Sequence, residues 1–190
     1  MNESMREAAH YLLTNWHALP HSDWTVQGFG FLRLRISPSL RLHVWNSQLR
    51  IPGVSDIHDH AQWDFDSTVM SGQIVNLRYD IEAGGIPHQM ATILCGEGGG
   101  MESPAPEAVG LKPYEPELYT RGQSYSQKAA EIHRTMPADG TVTLIRQQRA
   151  DVKTARVFWS QGSEWVDAIP RTASQQEIRP VVQHALKVWE

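Results

Sequence analysis

Apolar residues change their spacing twice along the chain. Over residues 5–16, Met5, Ala8, Ala9, Leu12, Leu13 and Trp16 recur at steps of three and four, which lines one face of an amphipathic helix. Near the other end Ile178, Val181, Val182, Ala185, Leu186 and Trp189 repeat in the same way. Ser174 and Glu177 stand at capping-box spacing before them, but Pro180 fits only a first turn, which predicts a helix that starts a few residues late. Between these ends the period becomes two, in short runs such as Phe29-Gly-Phe-Leu-Arg-Leu-Arg-Ile36 and Leu40-Arg-Leu-His-Val-Trp45. Those runs read as strands. Others are predicted over 67–81, 88–95, 119–127, 129–135, 141–147 and 155–159, with Ala138-Asp139-Gly140 as a hairpin turn. Short strands at this density predict an all-β sandwich or barrel with a helix at each end.

Residues 96–118 break the pattern: they are rich in Gly, Pro and Glu and have no period. They read as an insertion between strands, either a lid or a surface excursion. Gly96-Glu-Gly-Gly-Gly100 lacks the Lys-Ser/Thr pair and the strand–helix context of a phosphate loop.

Composition narrows the functional classes. A chain of 190 residues with 41% hydrophobic and 20% charged residues fits one domain, residues 1–190, with a sizeable core. Seventeen Lys and Arg against twenty-one Asp and Glu give a charge of -4, so there is no basic excess to neutralise nucleic acid or an anionic membrane. Cys95 is the single cysteine, which excludes an intrachain disulfide and a CxxC zinc site. Charges through the first seven residues do not suit a signal peptide, and no apolar run approaches the roughly 20 residues of a membrane span. A cytoplasmic chain is expected.

The stretch that carries chemistry is Asp56-Ile-His58-Asp-His60-Ala-Gln-Trp-Asp64-Phe-Asp66. Alternate side chains of a strand share a face, so the H-x-H spacing aims both imidazoles at one point. Asp64 follows four residues later, with Asp66 at the same strand parity. Two imidazoles and a carboxylate form the open arrangement of non-haem iron, which Mn, Ni, Co and Zn also accept.

Here the sequence resembles the cupin family over roughly residues 25–160. The H-x-H-x3-carboxylate core of the first cupin motif is kept at His58, His60 and Asp64, with Asp in place of Glu and the flanking glycines, Gly53 and Gly72, each displaced by one position. Of the second motif only Gly122 and His133 remain, eleven apart as the pattern demands. The resemblance implies a double-stranded jelly-roll barrel holding one divalent ion on His58, His60, Asp64 and His133. Fe(II) is the first expectation, with Zn, Ni or Mn as alternatives. If neither Asp64 nor Asp66 binds, the site is three-histidine. That set resembles the cysteine-dioxygenase branch, which oxidises small thiols with O2, as does Glu131-Ile-His133-Arg-Thr135 followed by an expected hairpin. That branch also carries a cross-linked Cys and Tyr, whereas Cys95 lies far from the motif, so thiol specificity is not implied.

The expected activity is a metal-dependent dioxygenase acting on a small organic acid or thiol together with O2. A non-redox lyase, isomerase or hydrolase and a non-catalytic ligand-binding cupin are the alternatives, and cupins often form homodimers. A small acid needs a fixed cation, for which Arg78 and Arg41 are the candidates, and Tyr125 could donate a phenolic proton to substrate. His43, with no partner at metal spacing, reads as structural.

Overall fold

The computed structural model describes residues 3–94, 105–167 and 169–189. Helix α1 (Glu3–Thr14) opens the chain and α2 (Gln175–Trp189) closes it. Between them run β1 (Trp24–Gln27), β2 (Phe31–Ser37), β3 (Leu40–Trp45), β4 (Ile57–His58), β5 (Trp63–Ser71), β6 (Gln73–Leu94) and β7 (Glu107–Pro113). The series continues with β8 (Glu117–Thr120), β9 (Ser124–Gln127), β10 (Ile132–Pro137), β11 (Val142–Arg149), β12 (Thr154–Ser160) and β13 (Arg171–Thr172). One sheet runs β13-β1-β2-β3-β11-β5-β9; the other runs β10-β4-β12-β6-β7, with β8 and β10 also on β6. The pairings are antiparallel, and the whole is an all-β, jelly-roll-like pair of sheets with a helix at each end.

Both faces of the first sheet are covered, and strand alternation decides what each face holds. Leu32, Leu34, Leu42, Val44, Met70, Val142 and Leu144 turn outward and form the main core with Leu13 of α1 and Ile178, Val182 and Ala185 of α2. The opposite parity, Phe31, Arg33, Arg41, His43, Trp45, Phe65, Thr143 and Ile145, faces a cavity between the sheets. The terminal helices are therefore the lid of the core rather than appendages.

Several expected boundaries shift. The run over 67–81 divides at Gly72, whose φ of +77° makes the turn from β5 into β6 and whose place a Cβ would contest with Thr141 Oγ1 at 2.5 Å. β6 then continues to Leu94 through an irregularity between Ile81 and Ile86. The run 119–127 splits into β8 and β9. In the expected insertion, residues 107–113 and 117–120 are strands paired with β6, because backbone pairing satisfies a segment that lacks side-chain periodicity. Residues 105–118 line no part of the cavity between the sheets; Cys95 and residues 96–104 lie outside the described residues. The turn at Ala138–Gly140 forms, with Thr141 N donating to the Ala138 carbonyl at 3.2 Å, but β10 and β11 belong to different sheets, so it is a crossover and not a hairpin.

Helix α2 begins at Gln175, earlier than Pro180 suggested. The capping box closes in both directions: Glu177 N donates to Ser174 Oγ at 3.3 Å and Ser174 N to Glu177 Oε2 at 2.9 Å. Hydrogen bonds from Arg171 and then the Ser174 amide hold the Glu177 carboxyl down at about 2. An anchored first turn tolerates the one backbone hydrogen bond that Pro180 removes. Among the described residues no helix is long and apolar enough to cross a membrane.

Candidate metal centre

His58 lies in β4 and His133 directly opposite it in β10. His60 follows in the connection to β5, held by a hydrogen bond from Ala130 N to its carbonyl at 3.1 Å. The three rings converge inside the cavity, and their ring nitrogens lie within 4.8 Å of one another. His60 Nε2 and His133 Nε2 are 2.9 Å apart. Two imidazole nitrogens at right angles on an ion with bonds of about 2.1 Å stand about 3 Å apart, so the spacing of this hydrogen-bonded pair is also one that a metal ion accepts. The three histidines could hold a metal ion.

The tautomer of His133 follows from a chain of buried amides. Gln127 Nε2 donates to the Glu131 carbonyl at 3.1 Å and to its carboxylate at 3.2 Å. Gln127 Oε1 therefore faces Asn76 Nδ2 at 3.5 Å, and Asn76 Oδ1 faces His133 Nδ1 at 2.9 Å. An oxygen there makes Nδ1 the protonated nitrogen and leaves Nε2 with its lone pair aimed at His60. His58 is set in the same sense, Nδ1 donating to the Asp56 carbonyl at 3.2 Å. Burial holds His58, His60 and His133 below the usual histidine range, and for His60 and His133 the neighbouring imidazoles add to it. All three are neutral at pH 7, the form that binds a metal.

Asn76→Leu breaks the amide chain at its last link. It is expected to weaken binding of a divalent ion about 10–100-fold, measured by competition with a chromogenic chelator. Equal affinity would show that the chain does not orient His133.

The structure does not bring Asp64 to this cluster. Phe65 faces the cavity, and strand alternation turns Asp64 to the opposite face, where it takes Lys128 Nζ at 2.9 Å and Ala129 N at 2.8 Å. Those contacts, the Ala129 N–H first and then Lys128, lower its carboxyl below the usual range. Asp66 shares that parity and accepts from Ser126 Oγ at 2.6 Å. Arg78 is likewise outside the cavity lining, its guanidinium on Glu117 and the Ser126 carbonyl, each at 2.8 Å. Tyr125 lines the cavity with the histidines, and burial raises its hydroxyl above the usual phenol range against the neighbouring Ser67 and Thr135 hydroxyls.

Four residues not marked as site candidates bear on the centre: Asn76 and Gln127 in the amide chain, and Arg33 and His43 in the cavity wall beside Arg41. The wall also carries Phe29, stacked on His58 at 4.7 Å, and Phe65, edge-on to His60 at 5.1 Å. Set against models of known protein families, the chain matches none, and a search of curated proteins finds no match.

Proposed function

We propose that the chain is a cupin-type metalloenzyme in which His58, His60 and His133 hold one divalent ion, Fe(II), for oxidation of a small organic acid by O2. The observation that carries this reading is the 2.9 Å approach of two neutral imidazoles, one with its tautomer fixed by buried amides. Bound iron would supply the electron exchange with O2 that no side chain here can perform. The chain's own groups do the rest. The phenylalanines exclude water, Arg33 and Arg41 attract and orient an acid, and Tyr125 holds its proton at the phenolic oxygen, available to the bound molecule. With Asp64 turned away, the three-histidine variant of the ligand set is favoured, and with it the resemblance to the cysteine-dioxygenase branch.

The test is elemental analysis of the purified protein beside His60→Ala, both without an affinity tag. Near-stoichiometric iron in the parent, lost in the variant, is the expected result, followed by O2 uptake with small acids. Zinc, nickel or manganese in the same position would replace the oxygenase reading with a non-redox one. No metal in either protein after anaerobic addition of Fe(II) would overturn the proposal.

A further inference from the structure

Arg33 and Arg41 lie in a place where arginine is costly. They project from neighbouring antiparallel strands, Arg33 opposite His43 and Arg41 two residues away on the same strand as His43. Both line the cavity of about 240 Å³ that holds the three histidines. Among the described residues no carboxylate forms an ion pair with either. The acid that shares the cavity, Asp56, is already held by Arg50 and by Arg134, the latter at 3.0 Å. Arg33 Nε donates to Thr25 Oγ1 at 3.1 Å, whereas Arg41 Nε and His43 Nε2 are buried with no partner. Burial, and then the charge of Arg33, brings the Arg41 guanidinium down to about 10, still fully charged at pH 7.

An arginine cannot escape such a site by losing its proton, so two half-buried guanidiniums without a counter-ion make the cavity a site for anions from outside the chain. One carboxylate satisfies one planar fork. Phe29, Phe31, Phe65 and Ile145 supply an apolar wall around the charged groups, and the cavity is smaller than the roughly 300–1,000 Å³ of drug-sized sites. We propose that the ligand of this cavity is a small dianion, a short-chain dicarboxylate or its equivalent, with one anionic group on Arg33 and the other on Arg41 and His43. This rests on reading the cavity as a small-acid site and adds the number and placement of the charges.

The experiment is calorimetric titration of the 190-residue chain, freed of metal, with malonate, succinate and glutarate, each beside its monoacid, propionate, butyrate or valerate. At least one diacid is expected to bind at least about tenfold tighter than its monoacid, the loss of one charge-assisted pair. Arg33→Met and Arg41→Met are each expected to abolish that preference, and Arg41→Lys to keep part of it. Arg41→Met should also raise the thermal midpoint of the ligand-free protein, because it removes an unpaired buried charge; this separates loss of the subsite from loss of the fold. Equal binding of diacids and monoacids, no binding of either, or a preference that survives Arg41→Met would overturn the proposal. Metal content of separate samples of the same proteins, after anaerobic addition of Fe(II), separates the two readings: metal uptake without diacid preference defeats only the dianion, and diacid preference without metal uptake defeats only the metal centre.

Discussion

Lowering the pH below about 6.5 is expected to destabilise the metal-free protein steeply, through four histidines that the fold buries in neutral form. His43, His58, His60 and His133 are all held below the ordinary value of 6.5, chiefly by burial. The unfolded chain takes up protons at 6.5 and the folded chain only further down, so the unfolded state binds more protons throughout the interval. Stability is complete above pH about 6.5 and falls as the pH drops, by at most about 1.4 kcal/mol per unit for each histidine. Four together set a ceiling of about 5 kcal/mol per unit, against a total of about 5–15 kcal/mol for a domain. The carboxyl of Glu177 is held down from its ordinary 4.5 to about 2, so the stability it contributes is lost below the window from 6.5 to 4.5. Urea unfolding followed by circular dichroism at pH 7.5, 6.5, 5.5 and 4.5 measures the slope, and His43→Leu should reduce it by about one proton's share. A midpoint independent of pH across that window would show that these rings accept protons inside the fold.

The same burial explains why the walls of the cavity were harder to read than its three clustered histidines. In Leu32-Arg33-Leu34 and Arg41-Leu42-His43 the ordinary reading sends leucine to the interior and arginine to solvent. Here the sheet has two interiors. The leucines pack beneath α1 and α2, and the parity that carries Arg33, Arg41 and His43 faces the cavity. The cue was present in the amphipathic faces at the two ends of the chain, which need a sheet to cover. Which sheet they cover is a long-range fact that a local period does not contain.

His58 and His60 were legible because a two-residue spacing speaks for itself, and His133 because a motif distance places it on the strand opposite. Asp64 failed on the same physics. His60 leaves the strand, and Gln62 takes a φ of +65°, so parity restarts at β5 and Phe65 takes the inward position. The amides of Asn76 and Gln127 carry no local signal at all. Their meaning is a hydrogen-bond direction, which exists only once β6, β9 and β10 are assembled.

Arg156→Met is expected to cost the protein about 3–5 kcal/mol, the penalty for leaving a buried carboxylate without its partner. That carboxylate is Asp59, between the two histidines of the motif, with a side chain only 1% exposed. It accepts from Arg156 N and Arg156 Nε, both at 2.6 Å. The far end of the guanidinium donates to the Ala130 carbonyl at 2.8 Å, and Ala130 N in turn holds the His60 carbonyl. One side chain thus fastens β12, the His58–His60 segment and the turn that places His60, and Ala130 keeps its φ of +63° within that arrangement. Arg156→Lys retains the charge but cannot reach both acceptors with a rigid fork, so it should recover part of the stability and less of the metal affinity. The double variant Asp59→Asn with Arg156→Met should be more stable than Arg156→Met alone, since it removes the stranded charge. Chemical denaturation of the three variants beside the parent, with Fe(II) affinity measured on each, decides the matter. A stability change below about 1 kcal/mol in Arg156→Met, the range of exposed pairs, would mean that water reaches Asp59 and that the His58–His60 segment is held by its backbone alone.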